Sequence, residues 1–212
     1  MAPTWTARAI RDLSEAQILY DLDFSESENA EFPLNFNEAF LWILPKGDAN
    51  EDSPNYCVRT MDKTRPLTGC NTVAKIFAAA LNSVFNRVLP DYIEPEQSCV
   101  KGRVMIANVH QLLNRAVEFA DHKHKVALLL LDFCSAFPSL ARDFIFKVLE
   151  ASRLPPNIIK AIRELYKDNF HYFAFGGIYK FAFTVYSGVR QGCPLNSAIF
   201  AIVTDTLIRF LK

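Results

Sequence analysis

Residues 172–185 read Tyr172-Phe-Ala-Phe-Gly-Gly-Ile-Tyr-Lys-Phe-Ala-Phe-Thr-Val185. Two aromatic-rich runs, of the kind that suits a pleated and half-buried surface, flank Gly176-Gly177. A glycine pair supplies the positive φ of a tight antiparallel turn, so the stretch predicts a β-hairpin. Helices are predicted on both sides of it. Residues 141–151 form one, residues 156–168 start another on Pro155-Pro156, and Pro194 opens a third over 195–211. Further upstream, Val73, Ile76, Phe77, Ala80, Leu81, Val84 and Phe85 share one helical face, which predicts a helix from Asn71, capped by Thr72 and ended by Pro90. A second stripe, Ile106, Val109, Leu112, Leu113, Ala116 and Val117, predicts a helix over about 104–119. Residues 40–44 read as a strand entering the turn Pro45-Lys46-Gly47, and residues 48–56 as an exposed acidic tip. Six consecutive apolar residues ending at Asp132 predict a strand over 125–132 buried on both faces. Long helices mixed with an antiparallel pair give an α+β class, not a doubly wound one.

The composition agrees. At 212 residues, 50% apolar, 22% charged and 13% aromatic, the chain has enough apolar side chain to bury a core, which excludes a disordered segment. No apolar run approaches the ~18 residues of a membrane span, and the start lacks a secretory apolar core. The expected location is therefore intracellular, nucleus or cytoplasm. Five widely spaced cysteines support neither a disulfide framework nor a zinc site. His122 and His124, two apart among charges, read as a solvated turn rather than a metal site. Net charge is zero, but residues 1–60 carry 11 Asp/Glu against 4 Lys/Arg, and the remainder carries 12 against 19. A basic later segment suits a polyanionic partner as well as a solvated surface. Residues 14–20 read as a helix capped by Ser14, residues 21–31 as a polar linker.

Two strings bear chemistry. Asp132 stands at the expected end of the buried strand, where a carboxylate holds a divalent ion or caps the next turn. Phe137, five residues on, lines a pocket or plugs the core. Gly188-Val-Arg-Gln-Gly-Cys-Pro-Leu195 joins the hairpin to the last helix. Its glycines let backbone approach a ligand, and Arg190 and Gln191 offer donors.

With these strings in view, the chain resembles the reverse transcriptase domain, particularly the type carried by non-LTR retrotransposons. Leu44-Pro45-Lys46-Gly47 resembles the family's first strand. Arg65-Pro66-Leu67-Thr68 with Asn71, Thr72 and Lys75 is similar to its Arg-Pro-Ile segment and following helix. Gln97 to Arg103 with Asn108 is similar to its Gln-x-Gly-Phe-x-x-Gly-Arg stretch. Leu131-Asp132-Phe-Cys-Ser-Ala-Phe137 matches the first carboxylate motif, and Gly188 to Leu195 the Arg-Gln-Gly-Cys-Pro-Leu motif. The resemblance implies a right-hand polymerase fold over 40–212, comprising fingers and part of the palm with the thumb absent, after an extension or linker over 1–39. It implies RNA-directed DNA synthesis, with an RNA template, a DNA primer and dNTPs as partners and two Mg²⁺ ions as cofactors. Lys46 and Arg65 would neutralise the triphosphate. Asp132 and the carbonyl of Phe133 would hold metal. Phe137 would act as the steric gate under the deoxyribose, and Gln191 would contact the nucleotide. Lys101, Arg103 and Arg190 would meet nucleic acid.

The chain also departs from the pattern. Pro138 stands where an Asp is usual, and Asn196-Ser197 replaces Ser-Pro. The family's adjacent Asp pair has no counterpart, because no Asp-Asp dipeptide occurs, and Asp205 falls inside the last helix. The expectation is a domain truncated before that motif. Two readings follow: a polymerase fragment inactive by itself, or a retroelement remnant that at most binds nucleic acid or a protein.

Overall fold

The computed structural model describes residues 32–33, 35–97, 100–121, 127, 130–175, 177–190 and 192–211. The expected helix at Ser14, the linker over 21–31, the pair His122 and His124, and Gln191 lie outside the described residues. Along the described chain run β1 (Ala39–Pro45), β2 (Thr64–Cys70), α1 (Thr72–Tyr92), α2 (Met105–Asp121), α3 (Arg142–Ala151), α4 (Pro156–Tyr166), β3 (Phe170–Phe175), β4 (Ile178–Thr184) and α5 (Asn196–Leu211). The four strands form one sheet in the order β2-β1-β3-β4. β1 pairs antiparallel with β2 and parallel with β3, while β3 and β4 make the expected hairpin. This mixture of sheet and helices is the α+β arrangement read from the element order.

Strand β2 has no apolar alternation to announce it, since Pro66 and Gly69 interrupt it. It lies at the sheet edge, where a residue without an N–H is tolerated. Along β1, Ala39 and Leu41 point into the protein while Phe40, Trp42 and Leu44 remain exposed. The sheet therefore has one covered and one open face.

The core is mainly helical. Phe77, Leu81, Phe85 and Leu89 of α1 pack with Ile145 and Leu149 of α3, Ile158 and Ile162 of α4, and Ile199 and Ile202 of α5. In α4, Ile158, Ile159, Ala161, Ile162, Leu165 and Tyr166 are all buried, the spacing of a single face. Each side chain as large as these contributes roughly 1.5–3 kcal/mol when fully buried.

Four expectations need correction. The buried stripe of α1 runs through Ala74, Phe77, Ala78, Leu81 and Phe85, leaving Val73 and Ile76 exposed. Apolar character at a helix's first turn does not ensure that a neighbour reaches that far. The cap is Asn71, whose side chain accepts from the Val73 N–H at 2.9 Å, one residue before Thr72. Pro90 does not end α1, which continues to Tyr92. There the loss is one hydrogen bond in the last turn, and Arg103 collects the end carbonyls, donating to Pro90 O and Ile93 O at 2.8 Å. Finally, the segment ending at Asp132 is not a buried strand where it is described. Leu130 and Leu131 are 79% and 73% exposed and have no strand geometry. An apolar run records a demand for burial, but a strand also needs a ladder partner, and no described strand pairs with this one.

Helix α2 forms where expected, yet none of its residues is buried. Helical periodicity sets which side is apolar; it does not specify what covers that side.

Candidate nucleotide and nucleic-acid site

Three stretches distant in sequence meet beside the covered face of the sheet: the turn after Asp132, the loop 188–195 and strand β2. The loop enters along the turn. Gly188 N–H donates to Leu140 O at 2.7 Å and Val189 N–H to Phe137 O at 3.0 Å. Gly188 has φ +74°, and a Cβ there would stand 2.6 Å from Pro138 Cα and 2.7 Å from Phe137 O. The loop leaves against β2, where Gly192 has φ +103° and a Cβ would lie 2.5 Å from Thr68 O. Both glycines are therefore required for left-handed backbone in close contact. They fix the two described ends of the loop, one against the first motif and the other against β2.

A buried polar cluster anchors this loop. Arg190 is buried, and its guanidinium donates to Asn37 O at 3.0 Å and Leu165 O at 3.3 Å. Arg142 donates to Tyr166 O at 2.6 Å, and Asn37 Nδ2 to Glu164 O at 2.6 Å. The last carbonyls of α4 thus meet side-chain donors, two of them cationic, at the negative end of the helix. Tyr166 donates its hydroxyl to Asn196 Oδ1 at 3.1 Å, tying α4 to the start of α5, and burial pushes its phenol far above the ordinary value.

His171 completes the cluster. The Asn169 carbonyl, 3.1 Å from Nδ1, can only accept, so Nδ1 carries the proton and Nε2 accepts from the Thr68 hydroxyl at 3.2 Å. Thr68 lies on β2 and His171 on β3, so this bond bridges across β1. Burial holds the imidazole below its ordinary pKa, and the charges of Arg190 and Arg142 add to that, against the Asn169 carbonyl. The ring is neutral and stacked on Phe183 at 5.6 Å. Cys193 is likewise pushed up by burial, which makes its thiol unreactive.

The remaining site residues divide clearly. Asp132 is exposed, and its carboxylate has no described partner; Phe133 is exposed beside it. Phe137 is half-buried, its ring 5.0 Å from Phe200 in an edge-to-face contact. Lys46 and Arg65 lie near each other at the loop end of the β1–β2 hairpin, since Leu44 pairs with Arg65 and Lys46 N–H donates to Lys63 O at 2.9 Å. The acidic tip between them is braced internally. Arg59 grips both oxygens of Asp52, which lies well below the usual carboxylate range through that bond and the Ala49 N–H. Lys101 is exposed at the turn before α2. Arg103 beside it donates to four backbone carbonyls. Arg103 and Arg190 are therefore engaged inward, on backbone carbonyls.

Asp205 is 2% exposed. Its oxygens accept from Glu94 N–H at 2.9 Å and Arg209 Nε at 2.6 Å. It fastens α5 to the end of α1. Among the described residues no group of three or more His, Cys, Asp or Glu gathers to hold a metal. His171, Asn37, Arg142 and Asn169 carried no signal in the sequence, because their partners lie far along the chain.

Residues 44–212 match the family described as reverse transcriptase (RNA-dependent DNA polymerase). Over 188 residues, 87% of this chain, it is 27% identical to the Transposon TX1 uncharacterized 149 kDa protein of Xenopus laevis. Over 148 residues, 70% of this chain, it is 23% identical to the Retrovirus-related Pol polyprotein from type-1 retrotransposable element R2 of Bradysia coprophila. The chain spans 14% and 17% of those two proteins.

Proposed function

The chain belongs to the reverse transcriptase family, of the kind carried by non-LTR retrotransposons, and on that premise we propose that it supplies the fingers and first part of the palm of an RNA-directed DNA polymerase. In this reading residues 40–212 form a right-hand polymerase domain and residues 1–39 an extension leading into it. The observation that supports it is the docking of loop 188–195 on Phe137–Leu140 and on Thr68, which brings three of the strings that resemble the family's motifs together. Lys46 and Arg65 meet the triphosphate of a dNTP as fixed cations. Phe137, braced by Phe200, faces the sugar as a steric gate. Gln191 contacts the nucleotide from a loop that Arg190 holds at the end of α4. Lys101 contacts the backbone of the RNA template or DNA primer.

Two-ion chemistry does not fit the donors among the described residues. Asp132 and the Phe133 carbonyl offer one carboxylate and one neutral oxygen, whereas two Mg²⁺ ions need several anionic oxygens around them. Asp205 cannot join them, because it is buried and bonded to Arg209. The chain of residues 1–212 therefore binds nucleic acid without extending a primer.

Purified protein, an RNA template with annealed DNA primer, dNTPs and Mg²⁺ or Mn²⁺ test both halves. Binding is expected to be weak and to fall steeply with salt, because phosphate contacts dominate it. No extension is expected. Extension that disappears in Asp132→Asn would refute inactivity, and absence of binding at low salt would refute the nucleic-acid role.

A further inference from the structure

Helix α2 carries its apolar residues on one side and its polar residues on the other. Ile106, Val109, Leu113, Ala116 and Ala120 recur in alternating steps of three and four, the spacing of a coiled-coil seam, with Val117 beside them. All of these residues are exposed, Ile106 at 62%, Leu113 at 57% and Val117 at 62%. The helix joins the body by its base and its polar side. Arg103 fixes the turn before it through bonds to four backbone carbonyls, and Asn108, on the polar side, donates to Glu96 O. A lone helix of 17 residues is marginal in water, because packing of an apolar face supplies most of a helix's stability. An exposed apolar stripe of this length marks a contact surface.

We propose that this seam pairs with that of a second copy of the chain, α2 against α2, antiparallel about a twofold axis. The seam is complementary to itself in that direction. With the axis level with Gln111, Val109 meets Leu113 of the second copy and Ile106 meets its Ala116, each contact occurring twice. Larger side chains then face smaller ones in every layer. A parallel pair would set Ile106 on Ile106 and Ala116 on Ala116, crowded at one end and hollow at the other. Charge selects the same direction. α2 has no acid in its first turn and no base in its last, so neither pole of its dipole is offset from within. Asp121 even adds negative charge at the negative pole, and the antiparallel copy brings it to the positive first turn of the other helix. Two helices about 25 Å long joined along such a seam bury an area near the low end of specific interfaces, ~1,200 Å² in total. The expected dimer is therefore of micromolar affinity. The inference rests on α2 alone and not on the proposed function.

The test is sedimentation velocity of the purified chain between about 1 and 100 µM, the range over which a micromolar dimer dissociates on dilution. Leu113→Glu sets a carboxylate against Val109 of the other copy at two places and should weaken association about a hundredfold. Arg115→Glu, on the polar side, should leave it unchanged. Circular dichroism confirms that both variants fold. For direction, Ile106→Cys and Ala116→Cys copies are mixed under glutathione disulfide and the linked peptides identified by mass. A link between positions 106 and 116 is expected; a link between two copies of position 106 in its place would overturn the antiparallel pair. Hydrogen exchange over 105–121 should slow as concentration rises. Slow exchange already at monomeric dilution would show that the chain's own residues cover the seam, and would overturn the proposal. A monomer at about 100 µM, or a dimer that Leu113→Glu leaves intact, would overturn it as well. No nucleic acid enters these measurements, so their outcome is independent of the polymerase reading.

Discussion

Replacing Gly188 by alanine probes the docking on which the site depends. Two costs arise. The residue sits at φ +74°, which costs an L residue about 1–2 kcal/mol. The added Cβ would also stand 2.6 Å from Pro138 Cα, 2.7 Å from Phe137 O and 2.9 Å from Pro138 O. All three are backbone atoms and cannot rotate away, so turn and loop must separate, at a further ~1–3 kcal/mol. The expected destabilisation is about 2–5 kcal/mol. Gly47→Ala is the internal control: its φ is +61°, but nothing lies within 4 Å of the new atom. That variant should lose only the conformational part, about 1–2 kcal/mol. Urea unfolding followed by fluorescence measures both midpoints, and with slopes of about 1–3 kcal/mol/M the difference is readily resolved. Equal midpoints for the two variants would show that loop 188–195 does not rest on the Phe137–Pro138 backbone.

Other expectations follow from the buried groups. His171 is neutral when folded, and its pKa is held below its ordinary value of about 6.5. The unfolded chain takes up a proton as pH falls through that value, so stability should drop below about pH 6.5, by at most ~1.4 kcal/mol per pH unit. His171→Gln should flatten this slope between pH 5 and 7, and an identical slope in the variant would exclude His171 as its source. Asp205→Asn should cost about 2 kcal/mol in urea unfolding, because it removes a charge-assisted bond from Arg209 Nε while Arg209 keeps Glu94 and the Tyr92 carbonyl; a loss under about 0.5 kcal/mol would mean that the pair contributes little. Arg190→Lys keeps the charge but not the forked donors that reach Asn37 O and Leu165 O, so a loss of about 2 kcal/mol is expected in the same assay. Stability equal to that of wild type would show that charge alone holds the loop.

The elements legible in the sequence were those whose cause is local. Gly176-Gly177 between aromatic runs forecasts the β3–β4 hairpin, and Pro156 and Pro194 forecast the starts of α4 and α5 within a residue or two. Strand β2 was not legible, since Pro66 and Gly69 erase its alternation and its place at the edge depends on pairing with β1. The orientation of α1 about its axis failed at Val73 and Ile76 for the same reason: burial there depends on which elements reach the first turn. In the site, the strings around Asp132, Phe137 and Gly188 stand out as strings. Their supports do not. Thr68 and His171 are 103 residues apart, Asn37 and Glu164 are 127 apart, and Arg190 lies 153 residues from Asn37. No local pattern encodes a hydrogen bond over such a span.

The same network explains why the site is rich in positioning and poor in anionic ligands. Five of the described acids are committed to the chain's own cations. Asp52 is held by Arg59, Glu94 and Asp205 by Arg209, Glu150 by Arg163, and Glu164 lies 3.7 Å from Lys167. A carboxylate bound in this way already has its charge offset, and moving it to a metal would strand its partner. Asp205 shows the conflict most sharply, because its release would leave Arg209 without the carboxylate that fixes it to α5 and would free the Glu94 N–H. Asp132 differs from all of these in being exposed and without a described partner. It is therefore the described acid of this motif that can turn to an incoming cation without undoing part of the fold. One such carboxylate can recruit an ion, but a pair of divalent ions repel each other strongly at the ~3.5–4 Å separation typical of two-metal sites. Further carboxylates must share that charge before such a pair of ions could be held beside Asp132.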